Sequence, residues 1–315
     1  LNDGINNDFN PAQNVISTTA DLAITVSAAD VDGDGDLDVL SASRADHKIA
    51  WYENTTGTGV FSAEKVINAS AVQAKCVTTG DVDGDGDLDV LSSSRTDMVI
   101  AWYQNLSIHR SALFPQQSII STAADFPVDI IASDVDGDGD MDALAAFNND
   151  NLIAWYENIS CNPLAFTPHS ISSAAMGAQS VYVADMDRDG HWDVLSASQA
   201  DDKIAWYKNN GLAVFGAPNV ISTSADGASA VFAADVDGDG DIDALSASQS
   251  DGEIVWYESD GAYPPAFTNH LISSLAAGAL DVFAIDLDSD GDIDVLSASQ
   301  GDAGSGGKLA WYENT

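Results

Sequence analysis

The chain has 315 residues, 45% of them hydrophobic, which is ample for a well-buried core, and it contains no apolar run long enough to span a bilayer. Fifty acidic residues stand against ten basic ones, a formal charge of −40, and a field of that sign excludes nucleic acid and anionic membrane as partners. Aromatic and β-branched residues are too frequent for a disordered acidic tail.

The first ten residues, "LNDGINNDFN", lack the charged-then-apolar pattern of a signal peptide. The chain is therefore expected to be cytoplasmic, already processed, or cut from something longer. Phe9 then precedes Val15-Ile16, a pairing that returns as Phe61 with Val66-Ile67, Phe114 with Ile119-Ile120, Phe166 with Ile171, Phe215 with Val220-Ile221 and Phe267 with Leu271-Ile272. Next comes "DVDGDGDLD" at 30. It recurs unchanged at 81, then as "DVDGDGDMD" at 134, "DMDRDGHWD" at 185, "DVDGDGDID" at 235 and "DLDSDGDID" at 286. A third signature, "IAWYEN" at 49, has counterparts at 100, 153, 204, 254 and 309. The acidic loops start 51, 53, 51, 50 and 51 residues apart, and a period of this size signals a solenoid, a propeller or an array.

Copy 5 gives the order within one period: "SAVFAAD", the acidic loop, "DALSAS", a short turn, "EIVWYES", a variable loop and "FTNHLIS". These are four strand-length, β-rich segments, and no helix-length amphipathic stretch interrupts them. The predicted fold is all-β, a six-bladed β-propeller with four antiparallel strands per blade, forming one domain over residues 1–315. The chain begins on the fourth-strand signature and ends on the third, "LAWYENT". The N-terminal strand around Val15-Ile16 is thus expected to complete the last blade beside Leu309–Trp311, closing the ring and removing an exposed edge.

The six loops hold 29 of the 50 acidic residues, so negative charge is a local requirement rather than a general one. Each loop carries Asp at positions 1, 3, 5 and 9, with Gly at position 6 for a sharp turn. Carboxylates packed so closely repel one another unless a cation sits among them, and an oxygen-only ligand set suits Ca²⁺. The predicted ligands are Asp30, Asp32, Asp34, Asp36 and Asp38 in the first loop and Asp81, Asp83, Asp85, Asp87 and Asp89 in the second. The third and fourth supply Asp134, Asp136, Asp138, Asp140 and Asp142, then Asp185, Asp187, Asp189, His191 and Asp193. The last two supply Asp235, Asp237, Asp239, Asp241 and Asp243, then Asp286, Asp288, Asp290, Asp292 and Asp294. Position 7 (Asp36, Asp87, Asp140, His191, Asp241, Asp292) is expected to contribute its backbone carbonyl, so His191 replaces Asp without harm. Position 4, Arg188 in the fourth loop, is expected to point outward. About six Ca²⁺ ions follow. An EF-hand is excluded, because position 12 is Ser41, Ser92, Ala145, Ser196, Ser246 and Ser297 instead of Glu.

With its inner-strand words, "ASAVFAADVDGDGDIDAL" at 228–245 and five counterparts, the chain resembles the FG-GAP/VCBS repeat family, the calcium-loop propeller repeats also found in integrin α-subunits. The resemblance covers essentially the whole chain. It departs where integrins usually have Gly-Ala-Pro after the second strand, since here the words are "SAS", "SSS" or "AAF", and in having six blades where integrins commonly have seven. It implies calcium, a propeller and an extracellular or cell-surface setting.

Other residues refine the expectation. Six of seven tryptophans lie in the third-strand signature, a placement that favours packing between blades over sugar stacking. Sequons at Asn54, Asn68, Asn105 and Asn158 are candidate N-glycosylation sites. A recurrent turn residue (Asp46, Asp97, Asp150, Asp201, Asp251, Asp302) is expected to close each hairpin as an Asx turn. Arg44 and Arg95 stand where other blades have Asn148, Gln199, Gln249 and Gln300. They are candidate ligands for the carboxylate or sulfate of an acidic glycan, weighed against simple pairing with Asp46 or Asp97. His47, His109, His169, His191 and His270 form no set with Ser or Cys that marks a nucleophilic site, and Cys76 and Cys161 are expected to be free thiols. The resulting expectation is a non-enzymatic, extracellular binding, adhesion or assembly module whose partner is a glycan, an extracellular protein or its own copies. The alternatives are a polysaccharide lyase or hydrolase on the same scaffold, and a structural subunit of an extracellular filament.

Overall fold

A computed structural model describes residues 15–106, 112–123, 125–161, 164–288, 290–301 and 307–314. Among them the regular structure is entirely β: six antiparallel sheets, five of four strands and one of three. Blade 1 shows the pattern, with strands Ala23–Ala29, Asp38–Ser43, Lys48–Tyr52 and Lys65–Asn68 paired in chain order. Its registers align Ala29 with Asp38, Leu40 with Trp51 and Ala50 with Val66. Blade 4 repeats them, with Ala184 opposite Asp193 and Leu195 opposite Trp206. The fold is the six-bladed β-propeller expected.

Burial explains the words of each repeat. The second strand is buried along its whole length in blades 2 to 5, for example "DVLSSS" at Asp89–Ser94. A strand covered on both faces favours small or apolar residues, and after its first Asp each of these strands is built from Val, Leu, Ala and Ser, with Phe147 ending the one in blade 3. The outer strand keeps one solvated face, which is why Val66, Ile119, Val220 and Leu271 are exposed.

By internal contacts the chain forms two compact units, residues 1–145 with 155–169 and residues 146–154 with 170–315. In the first, Leu40, Ile49 and Trp51 of blade 1 pack against Val77, Val90 and Tyr103 of blade 2. In the second, Leu195 and Trp206 of blade 4 meet Val231 and Tyr257 of blade 5. Leu245 and Ile254 of blade 5 in turn meet Val282 and Val295 of blade 6. Trp51, Trp102, Trp155 and Trp206 are all buried, so these tryptophans serve packing and offer no open face to a sugar.

Most of the expected closing strand, through residue 14, lies outside the described residues. Val15 and Ile16 are exposed and belong to no strand. Blade 6 has the described strands Ala279–Ile285, Asp294–Ser299 and Lys308–Tyr312. Among the described residues no strand pairs with the outer side of its last strand, and Leu309 is 80% exposed where the equivalent Ile49 of blade 1 is fully buried.

Candidate metal centres

Each acidic loop joins the first strand of a blade to the second, and its carboxylates divide into distinct jobs. Position 9 is the best buried. In blade 1, Asp38 accepts the Val31 N–H through Oδ2 at 3.1 Å and the Asn54 N–H through Oδ1 at 2.8 Å. The same two bonds recur at Asp89, Asp142, Asp193, Asp243 and Asp294. One carboxylate therefore fastens its own loop to the residue two beyond the third-strand Tyr, in every blade. Position 1 folds the loop over itself: Asp30 accepts the N–H groups of Asp34 and Gly35, as Asp185 accepts those of Asp189 and Gly190. Position 5 accepts the N–H of position 7, for example Asp34 from Asp36 at 2.9 Å.

Gly at position 6 is held in the left-handed region, at φ 95° for Gly35 and 86° for Gly190, as the sharp turn requires. Position 4 makes the same demand, which the sequence reading missed: Gly33 has φ 72° and Arg188 has φ 58°. Arg188 is thus no silent replacement. A non-glycine residue there costs about 1 kcal/mol, and its guanidinium ion-pairs with Asp241 and donates to the Gly261 carbonyl at 3.2 Å. At position 7 the side chain is not free of contacts either. Asp36, His191 and Asp241 each lie against a glycine, Gly57, Gly211 and Gly261, where a Cβ would collide with them.

The carboxylates of five loops meet closely enough for a shared cation. Oxygens of Asp30, Asp32 and Asp38 lie within 4.8 Å of one another, as do those of Asp81, Asp83 and Asp85, of Asp134, Asp136 and Asp142, of Asp185, Asp187 and Asp193, and of Asp235, Asp237 and Asp239. Several buried oxygens in these sets (Oδ1 of Asp32, Asp81, Asp83, Asp187 and Asp235) accept no hydrogen bond from the described residues. An unsatisfied buried carboxylate oxygen is costly, and a hard cation is the partner that oxygen-only sets fit. The electrostatics agree. Burial pushes Asp89, Asp142 and Asp193 up to about 7. Burial, with Asp38, Asp34 and Glu53 nearby, pushes Asp32 up to about 6.

Three candidate glycosylation sites are corrected by the geometry. Asn54, Asn105 and Asn158 are buried. The Asn105 amide donates to the carbonyls of Val31, on the preceding blade, and Leu88. Asn158 does the same to Val82 and Met141, and Asn54 donates to Leu37. These amides clamp the acidic loops, and a buried donor nitrogen offers no attachment point for a glycan. Asn68 is half-buried and donates to the Tyr103 hydroxyl at 2.8 Å.

The recurrent turn Asp also does more than close its hairpin. Asp46, Asp97 and Asp251 accept the N–H groups of Asp21, Val72 and Asp226, fastening the segment that enters the first strand. Only Asp251 among these three also accepts the N–H two residues on, from Glu253. Asp302 and His109 lie outside the described residues, as does the Cys161 side chain. Cys76 is a buried free thiol.

Among the described residues neither Arg44 nor Arg95 pairs with a carboxylate. Asp46 pairs with Lys48 instead. The Arg95 guanidinium lies 4.7 Å over the Phe126 ring, and its Nε is buried with no acceptor. Burial first, and then the like charge of Arg44, hold Arg95 below the usual guanidinium range. At the equivalent position of blades 4 and 5, Gln199 and Gln249 bond each other at 2.9 Å.

A family model described as FG-GAP-like repeat matches residues 30–92, 134–196, 185–246 and 235–297. The chain belongs to the FG-GAP-like repeat family. No curated protein sequence matches it. Among solved structures it is similar to an Agrocybe aegerita lectin that recognises non-reducing terminal N-acetylglucosamine, at 17% identity and TM-score 0.61, covering 92% of this chain and 80% of the lectin. It is also similar to virginiamycin B lyase from Staphylococcus aureus, at 11% identity and TM-score 0.61, over 94% of this chain and 86% of the lyase. A Lactobacillus plantarum protein follows at 12% identity and TM-score 0.62, over 90% and 79%. At these identities the likeness is one of fold.

Proposed function

We propose that this FG-GAP-like propeller is a calcium-stabilised, non-enzymatic binding module that works outside the cell, where free calcium is abundant, with a glycan or an extracellular protein as its partner. The observation that carries the reading is the gathering of carboxylate oxygens within 4.8 Å in five loops, four of which hold at least one buried oxygen that accepts no hydrogen bond from the described residues. Hard oxygen ligands, six- to eight-fold coordination and tolerance of irregular geometry suit Ca²⁺ better than Mg²⁺ or zinc. The ions would be held chiefly by the Asp residues at positions 1, 3, 5 and 9, with the carbonyl of position 7, and their charge would offset the repulsion within each loop. Rigid loops of this kind make the propeller a fixed platform.

For the partner, the Arg44–Arg95 pair is the best-supported contact. Two cations with no carboxylate partner among the described residues, in a chain of charge −40, suit an anionic group such as a uronate or sulfate. The lectin likeness is consistent with a glycan ligand. The lyase likeness keeps an enzyme on the same scaffold as the second reading.

The test is a glycan array with the chain in calcium and in chelator, with release of shortened products followed in the same wells. Calcium-dependent binding without product is expected. Product formation would overturn the binding-module reading in favour of an enzyme, and binding unchanged by chelation would overturn the role of calcium in it.

A further inference from the structure

Loop four differs from its neighbours in carrying its own cation. The residue after the third-strand Tyr is Glu53, Gln104, Glu157, Lys208, Glu258 and Glu313 in blades 1 to 6. This side chain lies beside the position-3 carboxylate. Gln104 donates to Asp83, and Glu53, Glu157 and Glu258 add negative field at Asp32, Asp136 and Asp237. In blade 4 the ammonium of Lys208 ion-pairs with Asp187, and with Asp189 at 2.7 Å. It also lies 4.8 Å over the Tyr263 ring. The Asp187 side chain is fully buried, where an ion pair is screened least.

Charge counts sharpen the contrast. Loop one with its following Glu53 carries five Asp and one Glu, hence −6; loop two with Gln104 carries five Asp, hence −5. Loop four carries four Asp against Arg188 and Lys208, hence −2 with His191 neutral. Arg188 also replaces something lost. Blade 5 has Ser259 where blades 1 to 4 have Asn, so it lacks the side-chain amide with which Asn105 reaches back to the preceding blade. In blade 4, Arg188 instead reaches forward to Asp241 and to the Gly261 carbonyl of blade 5. Loop four therefore has an internal counter-ion and a tether, neither of which requires metal.

We propose that Lys208 is the built-in counter-ion of loop four, which makes this loop the last of the six to take calcium and lets it keep its shape without metal. The inference rests on the calcium reading of the sister loops. Asp187 keeps one oxygen, Oδ1, without a donor, so a cation can still enter at high concentration by displacing the ammonium.

Crystals of the chelated chain equilibrated against a calcium series, with anomalous peak heights read loop by loop, test it directly. Loop four is expected to need at least about tenfold more calcium than loops one, three and five, since 1.4 kcal/mol of lost ion pairing is a factor of ten. Lys208→Glu, the residue of four sister blades, should bring it within about threefold of them, and Lys208→Gln should fall between. Simultaneous filling of all loops in the native chain, or no change in Lys208→Glu, overturns the proposal and leaves the calcium reading standing. If no loop fills at millimolar calcium, the calcium reading itself falls. Hydrogen exchange of the chelated chain gives a second readout: residues 185–193 should stay better protected than residues 30–38, and equal exchange would also overturn the proposal.

Discussion

Asp89 and Asp87 stand two residues apart in one loop, and exchanging each for Ala separates the structural carboxylates from the dispensable ones. Asp89 is fully buried and accepts the N–H groups of Val82 at 3.1 Å and Asn105 at 2.7 Å. Asp89→Ala leaves both donors buried without acceptors, at about 1–3 kcal/mol each. A net loss of about 3 kcal/mol is expected. The Asp87 side chain is half-buried, and its backbone N–H, which donates to Asp85 at 3.0 Å, survives the substitution. Asp87→Ala should stay within about 0.5 kcal/mol of the native chain. The comparison belongs in chelator at pH 6. Metal then contributes nothing, and Asp89, pushed up to about 7 by burial, is largely in its neutral form. For a chain of this length, 3 kcal/mol corresponds to about 5 °C in Tm, readable by calorimetry or by urea unfolding with unchanged m. Equal losses from the two substitutions would refute the assignment of position 9 as the fastener of the loop.

The chelated chain should lose stability as pH rises from about 4 to 7. Asp89, Asp142 and Asp193 are raised from 3.8 to about 7, so over that window the folded state binds protons that the unfolded state has released. Calcium should flatten or reverse this slope, and a chelated protein more stable at pH 8 than at pH 5 would contradict it. Asn158→Ala should cost about 2 kcal/mol by denaturant unfolding, because the carbonyls of Val82 and Met141 lose their donor. Expression in a glycosylating host should add no mass at Asn54, Asn105 or Asn158 by peptide mass spectrometry. The Arg44→Gln, Arg95→Gln double variant should lose binding to acidic glycans while keeping its Tm within a few degrees; undiminished binding would remove that pair as the contact.

The fold was readable because each blade repeats one pattern of burial in the same register. The fully covered second strand selects Ala, Ser, Val and Leu, while the third strand puts Trp and Tyr at the contact between neighbouring sheets. The loop carboxylates were readable because few arrangements justify four acids in nine residues. What escaped the sequence were the hydrogen-bond partners. Asn105 and Asn158 looked like surface sequons, since the motif says nothing of burial, yet their amides reach carbonyls 74 and 76 residues away in the chain. Arg188 was expected only to point outward because φ is invisible in a string of letters; the run of Gly33, Gly84, Gly137 and Gly238 at the same place was the available clue. Lys208 escaped because it follows the third strand, 15 residues beyond the loop whose acids it meets.

Isothermal titration of the chelated chain with calcium addresses the central claim most directly. The account predicts saturable binding of several ions per chain, with a weaker final step, accompanied by a rise in Tm with calcium concentration. No binding heat and an unchanged Tm up to millimolar calcium would contradict it.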